Sequence, residues 1–223
     1  MWDSNVINTT TSSGLSYGVF FYNCKLFGLR SFDEHRELSA AQYILSRNQQ
    51  GVETITFRGR VSKNNQGGIK MRKVKPKVVV QHADPTNPRC VVNLFKTYLN
   101  LIPAEEAFYK RPLHSLRYTT PRFSKQNVGH NTLQKYIKDM FSLAKISLLG
   151  RNITNHSGKV TLCTNLFNSG FDDKIIRERS GHRSDAINAY KRPNNDMLQS
   201  VSNILQPPKP KKQTSTCTIT KRM

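Results

Sequence analysis

The chain has 223 residues, and its 35 Lys and Arg against 14 Asp and Glu give a formal net charge of +21. A chain of this length can bury a substantial core, so we expect one large domain or two small ones. The excess of positive charge favours a polyanionic partner, because each phosphate that a Lys or Arg neutralises releases condensed counterions. Nucleic acid is the expected partner, and a small-molecule substrate is not expected.

The spacing of Cys and His argues against a metal or redox centre. The four Cys lie far apart, and none of the six His pairs with a Cys at the spacing of a zinc site. A Gly-rich phosphate loop is also missing from the sequence, so no cofactor is expected. No stretch approaches the ~20 consecutive apolar residues that span a bilayer. We therefore expect a protein of a reducing compartment without a membrane partner.

The N-terminal half predicts two helices followed by three strands. Residues 1–13 are polar and rich in Thr and Ser, and we expect a loose leader. An apolar pattern over residues 15–29 predicts a helix, and a capping box of Ser31 with Glu34 predicts a second one through "DEHRELSAAQYILS". β-branched residues on both sides of "KNNQGG" then predict a strand, a turn and a strand, with a third strand at "KVVVQH".

The C-terminal half is predicted to be helical. A helix is expected over residues 91–102, then a basic and aromatic loop, "YKRPLHSLRYTTPRFSKQNVG". The strongest amphipathic stripe follows a capping signal at Asn131. Two shorter helices, "SGKVTLCTNLFNS" and "DDKIIRERS", are expected to end at Gly170 and Gly181.

These elements predict an α+β fold, a mostly helical domain with a small three-stranded antiparallel sheet. The domain is expected to span residues 14–206. Residues 207–223, "PPKPKKQTSTCTITKRM", contain five basic residues and no acid, and we expect a disordered tail.

A set of polar residues in a fixed order suggests phosphodiester chemistry, which needs a nucleophile, cationic donors and an acid. The set consists of Arg30 in "GLRSF", Lys63 in "RVSKNN", His156 and Lys159 in "NHSGK", His182 in "SGHRS" and Tyr190 in "AYKRP". In this order the chain resembles the catalytic domain of tyrosine recombinases over roughly residues 15–206. It is most similar to the Crypton-type branch and its domesticated relatives, the C-terminal domains of MYM-type zinc-finger and glutamine-rich nuclear proteins.

The resemblance implies a role for each residue of the set. Tyr190 would attack the scissile phosphate and form a 3′-phosphotyrosyl link, and a strand with a 5′-hydroxyl would leave. Arg30 and His182 would bind the non-bridging oxygens, and His156 would assist proton transfer. Lys63 would protonate the leaving oxygen as the general acid. Such domains act in DNA recombination and integration, on DNA that also holds other copies of the recombinase.

Two departures from the family pattern bear on activity. Lys159 stands where the family's His-x-x-Arg has a second Arg, and a Lys cannot reproduce the two-pronged guanidinium contact with a phosphate. Losing that contact would cost about 2–4 kcal/mol of transition-state stabilisation, unless Arg179 or Arg183 compensates. Only about thirteen residues precede the first predicted helix, where recombinases have a DNA-clamping domain, so we expect this chain alone to hold DNA weakly.

The basic run between the second and third predicted strands leaves two alternatives for the general acid. Lys70 could replace Lys63 in that role, because eight basic residues and no acid lie between Arg58 and Lys77. Most of the run is expected to contact the DNA backbone. The expected backbone-binding residues are Arg58, Arg60, Lys70, Lys73, Lys75, Arg183 and Lys191.

Three functional hypotheses remain open at the level of the sequence. The first is a DNA strand-breaking and rejoining recombinase. The second is a catalytically impaired, domesticated DNA- or chromatin-binding module in nuclear transcriptional regulation. The third, a purely electrostatic RNA- or ribosome-binding protein, does not explain the ordered set. The "PPKPKK" stretch resembles a nuclear address, so localisation in the nucleus is expected.

Overall fold

The computed structural model describes residues 1–29, 32–60, 76–104, 106–114, 120–182 and 184–207. The chain forms two compact units, residues 1–192 and a second unit that begins at Pro193. In the first unit, helix α1 (Ser12–Leu26) is the central element. It contacts three further helices, α3 (Val91–Leu99), α4 (His130–Leu143) and α5 (Ser157–Asn168), and strand β4 (Lys110–Leu113).

Helix α1 is buried on most of its circumference, because it lacks a charged face. Leu15, Val19 and Phe20 are fully buried in the main core. The segment before the helix packs onto the same core: Ile7 is fully buried, and Trp2 Nε1 donates to the Tyr22 hydroxyl at 2.8 Å. The expectation of a loose leader over residues 1–13 is thus wrong, because its few apolar side chains have a core to fill.

The predicted three-stranded antiparallel sheet is present, with the strand order β1 (Tyr43–Arg47), β2 (Glu53–Arg58), β3 (Val78–His82). Strand β1 lies within the stretch that we expected to be the second helix. That helix, α2 (Phe32–Arg36), is only five residues long. A capping box at Ser39 starts a new 3₁₀ turn over Ala40–Gln42, and the chain leaves it in an extended conformation.

A second antiparallel sheet pairs β4 (Lys110–Leu113) with β5 (Arg122–Asn127), where the sequence predicted only a loop. The sequence does not reveal this strand pairing, because Lys110, which faces inward, is charged. Its side chain is 2% exposed, and its ammonium contacts Glu106, the Lys125 carbonyl and Asn127. The strands therefore lack the alternation of apolar and polar residues that identifies a half-buried sheet.

The C-terminal helices of the first unit follow the prediction closely. Helix α3 ends three residues early, at Leu99, and α4 begins at His130 with the expected apolar stripe facing the core. Helix α5 is as expected, and α6 (Asp173–Ser180) ends at Gly181, whose φ of 74° is the left-handed conformation that glycine adopts readily. A 3₁₀ helix over Asp185–Tyr190 was not predicted.

The second unit contains helix α7 (Asn195–Ile204), which was also not predicted. No side chain of this helix is buried, and Leu198, Val201 and Ile204 are exposed on one face. Residues 208–223 of the predicted tail, and the strand expected directly after "KNNQGG", lie outside the described residues. No helix in the part of the chain that the structure describes is long and apolar enough to cross a membrane.

Candidate active site

The N-terminus of α5 holds two residues of the predicted set. His156 is the residue before the first turn of α5, and Lys159 lies three positions later on the same side of the helix. The helix approaches α1 very closely at Gly158, where an added Cβ would lie 2.4 Å from Cys24 Cβ. Lys159 is 5% exposed, so its stem packs inside the domain.

Tyr190 is the last residue of the 3₁₀ helix, and its hydroxyl lies 2.9 Å from His156 Nε2. Its backbone is fastened to α5 as well, because Thr164 Oγ1 donates to the Tyr190 carbonyl at 2.6 Å. Ile187 anchors the 3₁₀ helix in a small core with Cys163. The half-buried Tyr190 hydroxyl is thereby directed at a histidine that is 34 residues away in the sequence.

His182 also lies beside the Tyr190 ring. The two ring centroids are 5.1 Å apart, while His156 and Tyr190 are 5.4 Å apart. His182 Nδ1 is 2.8 Å from Ser180 Oγ, and Cys163 Sγ is 3.7 Å from the same nitrogen. Burial raises the pKa of the Cys163 thiol, which keeps it in the neutral form.

Ion pairs tie α6 to the 3₁₀ helix. Arg177 donates to Asp173 at 2.7 Å, and to Asp185 and the Ser184 carbonyl at 3.0 Å each. Lys191 contacts Asp173 and Asn188. Hydrogen bonds from Lys191 and Arg177 lower the pKa of Asp173. The Lys191 ammonium is therefore committed to a carboxylate within the protein, and its expected contact with the DNA backbone stays a prediction.

The remaining predicted site residues divide into two sets. Arg58 and Arg60 are exposed near the end of β2. Those outside the described residues are Arg30, Lys63, Lys70, Lys73, Lys75 and Arg183.

Arg179 donates to the Val80 carbonyl at 2.6 Å and to Gln81 Oε1 at 2.5 Å, so its guanidinium is bound to β3. Within the described ranges, no group of three His, Cys, Asp or Glu is arranged to hold a metal ion.

The sequence did not identify Lys77, a cation at this site. Its ammonium donates to the Phe27 carbonyl, one residue before Gly28. Burial, and after it the nearby charge of Lys159, lower the pKa of Lys77 to about 7. The only signal in the sequence is that Lys77 ends the basic run, directly before the β-branched strand β3.

Solved structures of recombinases have a similar fold. A XerH site-specific recombinase bound to its palindromic difH substrate in a post-cleavage complex is 16% identical, with a TM-score of 0.58 over 91% of this chain and 49% of that chain. The XerH pre-cleavage complex gives 16% identity and a TM-score of 0.53, over 92% of this chain and 51% of that one. XerA recombinase is 16% identical, with a TM-score of 0.51 over 91% of this chain and 67% of the XerA chain.

The predicted fold class is thereby confirmed: this is the α+β fold of tyrosine-recombinase catalytic domains. The chain spans about half the length of the XerH chains that it matches. No curated protein sequence matches it. Residues 1–142 match the family model described as a domain of unknown function, DUF3504, and this match ends in α4, before His156. Because that match covers more than half of its residues, the chain belongs to the DUF3504 family.

Proposed function

We propose that this domain binds DNA and breaks and rejoins its strands through a covalent link to Tyr190, in DNA recombination or integration. The observation that carries the proposal is the 2.9 Å contact between His156 Nε2 and the Tyr190 hydroxyl. A tyrosine hydroxyl is a weak nucleophile at neutral pH, and a base within hydrogen-bond reach is what activates such a group. His182, beside the same ring, supplies a donor for the phosphate.

The proposed step has a complete balance of bonds and protons. The Tyr190 oxygen attacks the scissile phosphorus, and its proton passes to His156 Nε2. The bond from phosphorus to the 5′ oxygen breaks, and a general acid from the basic run, Lys63 or Lys70, protonates the leaving oxygen. Arg30, Lys159 and His182 hold the non-bridging oxygens. The 5′-hydroxyl of a second strand then reverses the step and releases the tyrosine.

Two facts support DNA as the substrate. Two of the structures with a similar fold are XerH recombinases bound to difH substrates, one before and one after cleavage. The net charge of +21 supplies the electrostatic attraction for a polyanion.

Further copies of the chain would assemble on the DNA through the exposed apolar face of α7. Sedimentation of the protein on a short duplex, with and without Leu198→Asp, tests this association.

The proposal extends to a Crypton-type origin and to the nucleus, which rest on the sequence resemblance and on "PPKPKK". A fluorescent protein fused to residues 207–223 should accumulate in the nucleus, and the same fusion with the lysines replaced by Gln should not. Equal distribution of both fusions would contradict the nuclear address.

The second candidate function is a domesticated binding module that keeps the fold and the basic surface without catalysis. The observation that favours it is Lys159, which is a Lys where the family pattern has an Arg. A point charge gives one contact to a phosphate where a guanidinium gives two parallel ones. The module would bind DNA with a strong dependence on salt and would form no covalent link.

Covalent trapping distinguishes the two functions. The protein is mixed with nicked duplexes of random sequence whose cleaved end diffuses away, and DNA attached to Tyr190 is identified by mass spectrometry. Tyr190→Phe removes the nucleophile with little change of shape. Tyr22→Phe is the matched control, because it also removes one hydroxyl, in this case the acceptor of the Trp2 hydrogen bond.

An adduct in wild type and Tyr22→Phe, but not in Tyr190→Phe, establishes the recombinase reaction. An adduct that forms only with Lys159→Arg identifies a site one substitution away from activity, which favours the binding module. An adduct on a residue other than Tyr190 would refute the proposed chemistry.

A further inference from the structure

Lys77 joins three segments of the first unit at the candidate active site. Its carbonyl accepts from Gly59 N at 2.7 Å, which closes the base of the connection between β2 and β3. Its ammonium donates to the Phe27 carbonyl in the turn that follows α1. Lys77, which directly precedes β3, is thereby hydrogen-bonded to the turn that precedes Arg30 in the chain.

Two glycines make room for this side chain. A Cβ at Gly28 would lie 3.1 Å from Lys77 Nζ, and a Cβ at Gly181 would lie 3.2 Å from Lys77 Cδ. The Lys77 ammonium therefore lies against the turn at Gly28, and the Lys77 stem lies against the turn at Gly181. The second of these turns leads directly into His182, and the Gly28 Cβ would also lie 3.1 Å from the Ser180 carbonyl. Both turns have positive φ at the glycine, 63° and 74°, which a larger residue rarely adopts.

The electrostatic surroundings keep the Lys77 proton labile near neutral pH. Burial, followed by the charges of Lys159 on α5 and Arg179 on α6, lowers its pKa to about 7, while Glu34 on α2 and Cys163 on α5 act in the opposite direction. An anion that binds beside this lysine would hold the proton in place, because the attraction favours the charged form.

We propose that Lys77 is a positioning residue of this site, which fixes the turn before Arg30 against the turn before His182 and adds an ammonium beside Lys159 for a bound phosphodiester. The resemblance assigns no role to Lys77, since it places the general acid at Lys63 or Lys70. The identity of the anion rests on the proposed function, whereas the contacts of Lys77 do not.

The first test measures the Lys77 ammonium directly in the wild-type chain. The protein is labelled with ¹³C-lysine and titrated by NMR, and Lys77→Arg assigns the signal. In the free protein we expect a pKa of about 7. A short nicked duplex, added at low salt, should raise the pKa by at least about one unit, since each unit equals a tenfold preference of the bound state for the proton. An unchanged pKa in DNA-bound protein overturns the proposal.

The second test compares the partly buried Lys77 with the buried Lys110. Lys77→Met removes the ammonium at the site, and Lys110→Met removes the one that contacts Glu106 and Asn127 in the second sheet. A merely structural role predicts that both variants lose thermal stability and otherwise behave alike. The positioning role predicts that the affinity of wild type for the nicked duplex falls between about pH 6 and about pH 8, a range that brackets the pKa of Lys77. Lys110→Met should keep this fall and Lys77→Met should lose most of it.

If Lys77→Met does not fold, Lys77→Arg tests the positioning role of Lys77. A guanidinium stays charged throughout this pH range, so the fall in affinity between about pH 6 and about pH 8 should be smaller than in wild type while binding is retained. The same pH dependence in wild type and in Lys77→Arg overturns the proposal. Neither the NMR titration nor the affinity measurement requires strand cleavage. Failure of the proposed function is therefore distinguishable, because it appears as the absence of a Tyr190 adduct in wild type.

Discussion

The contact between α5 and α1 at Gly158 allows a quantitative test of how the site is held. A Cβ at position 158 would lie 2.4 Å from Cys24 Cβ and 3.0 Å from Cys24 C. Ordinary van der Waals contact begins near 3.4 Å, so Gly158→Ala requires the two helices to separate locally by about 1 Å. Both helices are packed in the core, and Cys24 is 1% exposed, so this strain has no simple route of relief.

The expected cost follows from two opposing effects. Overpacking of a well-filled core costs about 1–3 kcal/mol, whereas replacing a helical Gly with Ala gains at most about 1 kcal/mol. We expect a net loss of about 1–2 kcal/mol in the free energy of unfolding. For a domain of this size that corresponds to a decrease of about 2–8 °C in Tm.

The same displacement should affect the chemistry more than the stability. Gly158 lies between His156 and Lys159, so a shift of about 1 Å in this turn moves both residues relative to Tyr190. A misplacement of that size costs about a hundredfold in rate. The assay is thermal unfolding followed by circular dichroism, combined with the rate of Tyr190 adduct formation, or the affinity for the nicked duplex if no adduct forms.

Gly129→Ala is the matched control. A Cβ at Gly129 would meet nothing within 4 Å, and its φ of −67° suits any residue. This variant should keep the wild-type rate and change Tm by less than about 2 °C. A Gly158→Ala protein that is as stable as wild type would refute the packing argument, and unchanged site function despite lower stability would refute its link to the site.

The remaining predictions concern pH, salt and one turn. Burial lowers the pKa of His35 to about 3, and between that value and the unfolded pKa of 6.5 the unfolded chain binds a proton that the folded chain does not. The free energy of unfolding should therefore decrease as the pH falls through this range, by up to roughly 4–5 kcal/mol, and His35→Gln should weaken this decrease in urea titrations at several pH values. The affinity for duplex DNA should fall steeply as salt is raised, and a flat response in fluorescence anisotropy would exclude backbone binding. Gly181→Ala should cost about 1–2 kcal/mol in chemical denaturation, because φ is 74° there, and equal stability would show that the turn relaxes.

Helices α1 and α3 to α6 could be predicted because their signals are local. The stripe of α4 repeats every three to four residues, and α6 ends at a glycine with positive φ. Strand β1 could not be separated from a helix, since "YILS" is a short apolar run that suits both conformations. Its extended form depends on pairing with β2, which supplies Phe57 opposite Tyr43.

The sequence suggested which residues could form the candidate site, and it did not suggest the contacts between them. The order of His156, His182 and Tyr190 led to the family resemblance, but no periodicity relates a histidine to a tyrosine 34 positions later. Their contact is produced by the 3₁₀ helix, which was not predicted. Lys77 was not identified for a different reason. The basic residues of its run look alike in the sequence, whereas the packing of two glycines against the Lys77 side chain is visible in the structure.

The central position of α1 determines which part of the protein opens last. Its backbone amides are covered by α3, α4, α5 and β4, so they can exchange hydrogen for deuterium only when these elements separate together. Exchange in α1 should therefore report global unfolding, whereas α7, with no buried side chain, should exchange by local fraying. Lys77 contacts the Phe27 carbonyl, which comes directly after the end of α1. We therefore expect this part of the candidate site to exchange as slowly as α1 itself.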